Sequence, residues 1–279
     1  MANSRVGSIN QIRSAYEIQF ASDRASGKNC ILVHNGALEV LFSKDNALDI
    51  LYVKYKGQNI SFLSKNDINT KSYGFIDRFE GGFLYTCGLD NMGFCVKDKV
   101  QHGSLHLTKA ENVSIEYKGN DVVISGIVRD TDLFDKNTAI YRCFTVGESC
   151  IDVADTVINE GFIKSEHCIL YHVNYGHPFL SEDMTLDIPS SKIDSCNEFA
   201  ELGLSDCLKM TAPIDGLPER CYYHHVTDAK ITLANKDLNI KVCMEYDKNT
   251  LPTLVQWKSM TSGAYALGIE PASTRFDDF

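Results

Sequence analysis

Short apolar runs separated by turn sequences recur along most of this chain, and this pattern most constrains its fold. The clearest case is the pair of runs Cys30 to Val33 and Leu38 to Phe42, which flank His34-Asn35-Gly36. Asn-Gly between alternating apolar residues is the strongest short-range signal of a β-hairpin. The alternation and the turn chemistry together predict a strand–turn–strand unit here.

Further strand-length runs continue the pattern, whereas amphipathic helix periodicity is almost missing from the chain. Three more hairpins are predicted at Val113 to Tyr117 with Val122 to Val128, Tyr141 to Val146 with Cys150 to Ile158, and Ile231 to Ala234 with Ile240 to Tyr246. Only Gly7 to Arg24 and the segment around Cys196 to Leu208 suggest weak helices. We therefore predict an all-β fold of large antiparallel sheets in a sandwich, with few short helices.

Bulk composition narrows the class of protein. The 279 residues carry a formal net charge of -10 with 44% hydrophobic residues, which opposes nucleic-acid binding and allows a packed core. No composition break resembles a linker, so we expect one domain over residues 1–279, with residues 1–28 as a peripheral N-terminal segment.

The cysteines and the N-terminal sequence indicate the cellular compartment. The ten cysteines are scattered singly, without a C-x-x-C pair, which is typical of free thiols in a reducing compartment. The N-terminus has no apolar signal region, and no stretch reaches membrane-spanning length. The expectation is a cytoplasmic protein with no nucleic-acid or membrane partner.

The stretch from Ser165 to Phe179, SEHCILYHVNYGHPF, is the first candidate for chemistry. Period-2 alternation places Leu170, His172 and Asn174 on one face of a strand, which therefore turns polar towards its end. A strand face of this kind is typical of a pocket wall. A structural histidine at a sheet edge explains the same pattern.

Two loops add polar groups to this set. The glycine-dense segment Phe75 to Gly93 contains Arg78, Asp90 and Asn91, and glycine-rich loops let the backbone approach a ligand closely. QHG then places His102 in a loop just beyond. The alternatives are a pair of tight turns with a structural Asp-Asn, and an exposed surface histidine.

The last candidate segment is LVQWKSMTSGAYALGIEPA, from Leu254 to Ala272. Ala266, Gly268 and Glu270 share a face, and small residues leave room in front of that carboxylate. Trp257 is the only tryptophan and could stack on a sugar face, although a core or rim position is equally consistent. A solvated strand end is the alternative for the glutamate.

Together these motifs resemble the aldose 1-epimerase (galactose mutarotase-like) superfamily, and most closely its poorly characterised bacterial branch. The resemblance rests on GGFLYTCGLDNMG, QHG, LYHVNYGHPFL and QWK followed by GAYALGIEPA, in this order, from about Asn29 to Pro271. It implies a β-supersandwich fold and an isomerase that interconverts sugar anomers without a metal or redox cofactor. The implied ligand is a monosaccharide or sugar derivative, and the implied assembly is a monomer or homodimer.

The resemblance also implies roles for individual residues. Glu270 would be the general base on the anomeric hydroxyl, and His172 the general acid on the ring oxygen, with an imidazole pKa near about 6 to 7. The resemblance implies that Arg78 and His102 bind the substrate. Asn174, two positions from His172 on the same strand face, is a further candidate, as are Asp90, Asn91, Trp257 and Lys258 from motifs of this branch. The superfamily's mid-chain aspartate has no clear counterpart, and the candidate substitutes in CYYHH are Tyr223, His224 and His225.

Two other functions fit the same residues. A carbohydrate-binding protein could keep the groove and lack catalysis. A zinc site could be built from His102, His172 and His224, because three imidazoles can ligate this metal. Anomer exchange would distinguish the first alternative from the enzyme, and metal analysis would test the second.

Overall fold

The fold is described from a computed structural model, which covers residues 4–94, 99–134 and 136–276. Its first sheet is a five-stranded antiparallel meander in sequence order. The strands are β1 (Arg13–Gln19), β2 (Asn29–Asn35), β3 (Leu38–Ser43), β4 (Ile50–Tyr55) and β5 (Gln58–Asn59).

A four-stranded antiparallel sheet packs against this meander. Its strands, in the order β10-β9-β8-β7, are β7 (Ala110–Lys118), β8 (Asp121–Thr131), β9 (Asn137–Val146) and β10 (Ile151–Asn159). Val40 and Phe42 of the first sheet meet Ile124 and Phe144 of the second in a buried apolar core. The rings of Phe42 and Phe144 lie 5.0 Å apart.

The central sheet has six strands in the order β13-β14-β17-β18-β11-β6. These are β6 (Leu84–Leu89), β11 (Cys168–Gly176), β13 (Ser190–Ser195), β14 (Arg220–Val226), β17 (Thr253–Thr261) and β18 (Ala264–Ala272). A three-stranded sheet covers one face of it through a second core that includes Leu254, Ile269 and Leu233. That sheet contains β12 (Thr185–Asp187), β15 (Lys230–Asn235) and β16 (Ile240–Glu245).

The helices are all short. Two are α-helical, α1 (Phe75–Arg78) and α2 (Glu198–Glu201), and 3-10 turns occupy Ile9–Gln11, Asp23–Ala25, Leu105–Leu107 and Leu204–Asp206. None of the helices in the described part of the chain is long and apolar enough to span a membrane.

The predicted all-β sandwich is confirmed, and so are all four predicted hairpins. They are the pairs β2–β3, β7–β8, β9–β10 and β15–β16. Gly36 has φ +58°, a conformation that glycine adopts without strain, in the Asn-Gly turn of the first hairpin. The weakly helical segment around Cys196 to Leu208 contains α2 and a 3-10 turn.

The helix expected between Gly7 and Arg24 is wrong. Most of this segment is β1, which pairs with β2 from Arg13↔Asn35 to Gln19↔Asn29. A helix here would have no continuous apolar face to bury, whereas the strand forms hydrogen bonds with β2 at the edge of the meander. The nine cysteines of the described residues are free thiols.

Candidate functional site

Neighbouring strands of the central sheet carry His172 and Glu270. Strands β11 and β18 pair antiparallel with Asn174 opposite Gly268, which puts both side chains on the face opposite the three-stranded sheet. A Cβ atom added to Gly268 would lie 2.2 Å from Oε1 of Glu270. Glycine at this position therefore leaves the space that the carboxylate occupies.

The His172 and Glu270 side chains touch inside the protein. Nε2 of His172 lies 3.2 Å from Oε1 of Glu270, and the two side chains are 6% and 2% exposed. Oε1 of Glu270 and Nδ1 of His172 are both buried without a hydrogen-bond partner among the described residues. Buried polar atoms in this state are rare, and they often mark a functional site.

The surroundings of this pair favour its uncharged form. Burial, reinforced by the charge of Glu219, raises the pKa of Glu270 well above its usual value. Burial and the neighbouring His102 lower the pKa of His172 to about 3. This differs from the near-neutral imidazole expected from the sequence, because full desolvation of a histidine disfavours its cation. The pair thus holds one proton, and burial places it on the carboxyl group.

His102 approaches the pair from the loop between β6 and β7. Its backbone has φ +62°, and its ring centroid lies 5.8 Å from that of His172. Nδ1 lies 3.0 Å from the carbonyl oxygen of Met92. Because a carbonyl can only accept, Nδ1 carries the proton and Nε2 is left as an acceptor. Burial lowers the pKa of His102 to about 4, so the ring is neutral at physiological pH.

Arg78 ends α1 and is buried beside the same face. Its Nη1 donates to the Tyr85 hydroxyl at 2.7 Å, and its guanidinium carbon lies 5.7 Å from the centroid of the Phe75 ring. The guanidinium has no carboxylate partner among the described residues, so most of its donors are not committed to ion pairs. It can therefore donate to hydroxyl or ring oxygens of a ligand.

Aromatic rings surround these polar groups, and the space bounded by His102, His172, Trp257 and Glu270 is called the groove. Trp257 lies 5.4 Å from His172 between ring centroids, and Phe79 lies 6.0 Å from it. Trp257 Nε1 donates to Oε2 of Glu219 at 2.8 Å. Phe79 and Glu219 were not among the predicted site residues. Glu219 precedes β14 and belongs to no recognisable motif, so only the pairing of β14 with β17 brings it here.

Asn174 lies behind His172 rather than in front of it. Its amide nitrogen donates to the carbonyl oxygens of His172 and Gly82, both at 3.0 Å. The side chain is fully buried, and Oδ1 has no hydrogen-bond partner in the described part of the chain. These contacts hold the backbone that presents the imidazole.

Two predicted substrate-binding residues point away from the groove. Lys258 and His224 lie on the face of the central sheet that Leu254 shares, opposite to Trp257. Lys258 Nζ donates to backbone carbonyls, including that of Asp206 at 2.9 Å, and His224 lies between Ser190 and Gln256. Consequently His102, His172 and His224 do not converge, and the zinc alternative loses its geometric basis.

Asp90 and Asn91 also make contacts outside the groove. Asp90 Oδ2 lies 3.8 Å from Nζ of Lys136, which directly precedes β9. Asn91 donates to the carbonyl oxygens of Phe94 and Val100, both at 2.8 Å. Asn91 thus connects the backbone at Phe94 to that at Val100, while Asp90 belongs to the contact with the four-stranded sheet.

A buried ionic network lies beneath the groove and was not predicted. The His106 ring stacks on Tyr85, with centroids 3.7 Å apart, and its Nδ1 lies 2.7 Å from Asp49 Oδ2. Asp49 also accepts from Nη1 of Arg142 at 2.7 Å. These residues come from separate segments without a motif, so no sequence signal marked them.

Comparisons with known proteins identify the fold and the family. One similar structure is that of a candidate aldose 1-epimerase from Klebsiella pneumoniae, 19% identical, with a TM-score of 0.85 over 95% of this chain and 76% of that one. A galactose mutarotase-like protein from Clostridium acetobutylicum is 15% identical, with a TM-score of 0.67 over 95% and 89% of the two chains.

A third similar structure is galactose 1-epimerase from Lactobacillus acidophilus, 9% identical, with a TM-score of 0.61 over 93% of this chain and 90% of that one. The chain therefore has a galactose mutarotase-like fold. Comparison with curated proteins gives no sequence match. Residues 25–277 match the family model DUF4432, described as a domain of unknown function. The chain belongs to the DUF4432 family.

Proposed function

We propose that this protein is an isomerase that interconverts the α and β anomers of a monosaccharide or a simple derivative. The observation that carries the proposal is the 3.2 Å contact between Nε2 of His172 and Oε1 of Glu270 in a desolvated groove. The two oxygens of a hemiacetal share one carbon and are therefore close together. Two proton carriers at this separation can reach both oxygens of one sugar.

The proton count of the pair matches the reaction. Glu270 takes the proton of the anomeric hydroxyl while His172 gives a proton to the ring oxygen, which breaks the bond between the anomeric carbon and the ring oxygen. The open-chain aldehyde rotates about its C1–C2 bond, and the reverse transfers close the ring on the other face. The pair carries one proton before and after each half-reaction, so no external acid or base is consumed.

Substrate binding has to move the shared proton from Glu270 to His172. In the empty groove burial favours neutral Glu270 and neutral His172. Ring opening starts with the proton on His172, a charge-separated form that hydrogen bonds from sugar hydroxyls would stabilise. Arg78 and the acceptor Nε2 of His102 supply hydrogen bonds to hydroxyls, and Trp257 offers an apolar surface to the sugar ring.

Anomer exchange measured by NMR tests the proposal. A panel of free aldoses is followed by exchange between the α and β resonances, with the uncatalysed rate subtracted. We expect His172→Ala and Glu270→Gln each to lower the catalysed rate by about 10²- to 10⁴-fold, the range for general acid–base groups. His225→Ala is the matched control, because that exposed histidine pairs with Asp194 away from the groove.

The same panel separates the enzyme from a carbohydrate-binding protein. Saturable binding with no exchange above the uncatalysed rate would favour the binding protein. Rates that are unchanged in both His172→Ala and Glu270→Gln would refute the proposed acid and base.

A further inference from the structure

A second concavity lies on the opposite face of the central sheet from Trp257. It has a volume of about 390 Å³ and sits where the segment after α2 crosses β14 and β17. This volume is within the range of small-ligand sites. The residues that line it are Asp206, Lys209, Met210, Thr211, Ile214, Leu217, Pro218, Arg220, Lys258 and Met260.

Two cations face each other across neighbouring strands in this cavity. Arg220 on β14 is directly opposite Lys258 on β17. Like charges in a cross-strand pair destabilise a sheet. The remaining charges of the lining, Asp206 and Lys209, pair with each other at 2.7 Å. The cavity thus keeps two positive charges in a chain whose net charge is -10.

Lys258 contributes charge without free donors. It is 3% exposed, and its ammonium group donates to the carbonyl oxygens of Asp206, Cys207 and Lys209. Burial, reinforced by the charge of Arg220, lowers the pKa of Lys258 to about 8. No carboxylate in the described part of the chain lies within ion-pair distance of its Nζ.

Arg220 is held in place and is available to an anion. Its guanidinium carbon lies 4.8 Å from the ring centroid of Phe199, and a Cβ atom added to Gly203 would lie 2.2 Å from its Nη1. The side chain is therefore confined between an aromatic ring and a glycine. Its Nε is buried without a hydrogen-bond partner, and it forms no ion pair with a described residue.

We propose that this cavity binds a small organic anion, a carboxylate or a phosphate monoester, with its oxyanion on Arg220. Guanidinium groups bind both oxyanions through paired hydrogen bonds. The apolar body of the ligand would lie against Met210, Ile214, Leu217 and Met260. This site does not depend on the proposed anomer exchange, because it shares no residue with the His172 groove.

NMR of the methionine methyl groups tests the site directly. Of the six methionines, Met210 and Met260 line the cavity, while Met92 lies in a separate core and serves as the internal reference. Hexanoate, hexyl phosphate and neutral hexanamide are titrated in turn. We expect saturable shifts of Met210 and Met260 with at least one anion, roughly tenfold tighter than with hexanamide. The anion that binds more tightly identifies the preferred headgroup.

Substitution of the arginine completes the test. Arg220→Gln should weaken anion binding by about tenfold or more, with the Met92 methyl group unchanged. Arg24→Gln is the matched control, since it removes the same charge from an exposed arginine that contacts the Lys65 carbonyl. Equal binding of anions and hexanamide, no shift of Met210 or Met260, or unaltered binding by Arg220→Gln would each overturn the proposal.

Discussion

His106 and His172 each contact a buried carboxylate, yet the two contacts have opposite electrostatic surroundings. Asp49, the partner of His106, also accepts from Arg142 and from the backbone and hydroxyl of Thr86. Burial acts to raise the pKa of Asp49, but the His106 hydrogen bond and the Arg142 charge outweigh it, so the pKa lies below its usual value. This carboxylate stays ionised.

Glu270, the partner of His172, has no such support. Among the described residues, the charged neighbour that shifts its pKa is Glu219, which acts in the same direction as burial and favours the protonated form. Both contacts are similarly buried, so burial alone does not decide the ionisation of a carboxyl group. The His106 hydrogen bond and the Arg142 cation decide it for Asp49, whereas no cation among the described residues lowers the pKa of Glu270.

The two regions are physically connected through Tyr85. One face of its ring stacks on His106, and its hydroxyl accepts from Arg78 in the groove. Lys28 and Glu80 extend the ionic network with a 2.7 Å ion pair, and Arg142 continues it to Asp155. A buried layer of paired charges thus lies next to the His172–Glu270 pair, which has no such charge compensation among the described residues.

Removal of the compensated carboxylate should have the largest effect on stability. Asp49→Asn leaves Arg142 buried with one fewer anion, so the free energy of unfolding should fall by about 3–5 kcal/mol. Chemical denaturation at neutral pH measures it. Glu17→Gln is the control, since its ion pair with Lys44 is at the surface and should contribute less than about 1 kcal/mol. If both variants lost the same free energy of unfolding, the buried Asp49 network would be no more stabilising than a surface ion pair.

Replacement of Glu270 should have the opposite effect on stability from replacement of Asp49. The folded state keeps the Glu270 proton to a higher pH than the unfolded state does, so stability is lost as pH rises above the unfolded pKa. The loss is about 1.4 kcal/mol per pH unit until the folded pKa is reached. Glu270→Gln cannot ionise and should be more stable than wild type at neutral pH, with the difference vanishing near about pH 4.

Denaturation curves at several pH values measure this difference. Asp49→Asn should be destabilised throughout the neutral range, which makes it the matched comparison. A Glu270→Gln variant that is less stable than wild type at neutral pH would show that the carboxylate is charged and compensated after all.

The connection through Tyr85 can be tested with a pair of tyrosine variants. Tyr85→Phe removes the acceptor of Arg78 but keeps the ring stacked on His106. The KM for the sugar should therefore rise several-fold, which corresponds to a loss of about 1 kcal/mol of binding free energy. Tyr171→Phe removes a hydrogen bond to Asp155 on the opposite face of β11. It should lower stability by about 1 kcal/mol and leave KM unchanged. Identical KM values in both variants would show that the Tyr85–Arg78 hydrogen bond does not contribute to sugar binding.

The smallest expected change concerns pH. Because burial lowers the pKa of His172 to about 3 and raises that of Glu270 well above its usual value, kcat/KM should vary by less than about twofold between pH 5 and pH 7. A solvated histidine acid would instead titrate near about pH 6.5 within this interval. Exchange rates corrected for buffer catalysis measure the profile. A steep decrease across the interval would indicate an ordinary imidazole.

Strand positions and hairpins could be predicted because they depend on local chemistry. Asn35-Gly36 and the other turns specify pairing between strands that follow each other, as in β2–β3. Alternation also specified which residues of one strand share a face. It separates Trp257 from Lys258, since adjacent strand residues point to opposite sides, so at most one of them could line a groove with Glu270.

Tertiary structure alone decided which faces meet and what surrounds them. Strands β11 and β18 are distant in sequence, and their pairing brings His172 to Glu270. The ionisation of each carboxyl group depends on burial and on cations from other segments, as Arg142 shows for Asp49. Hydrophobic alternation and turn chemistry thus determine a β-sandwich from local sequence. The reactivity of its groove depends on desolvation and charge, which exist only once distant strands are packed together.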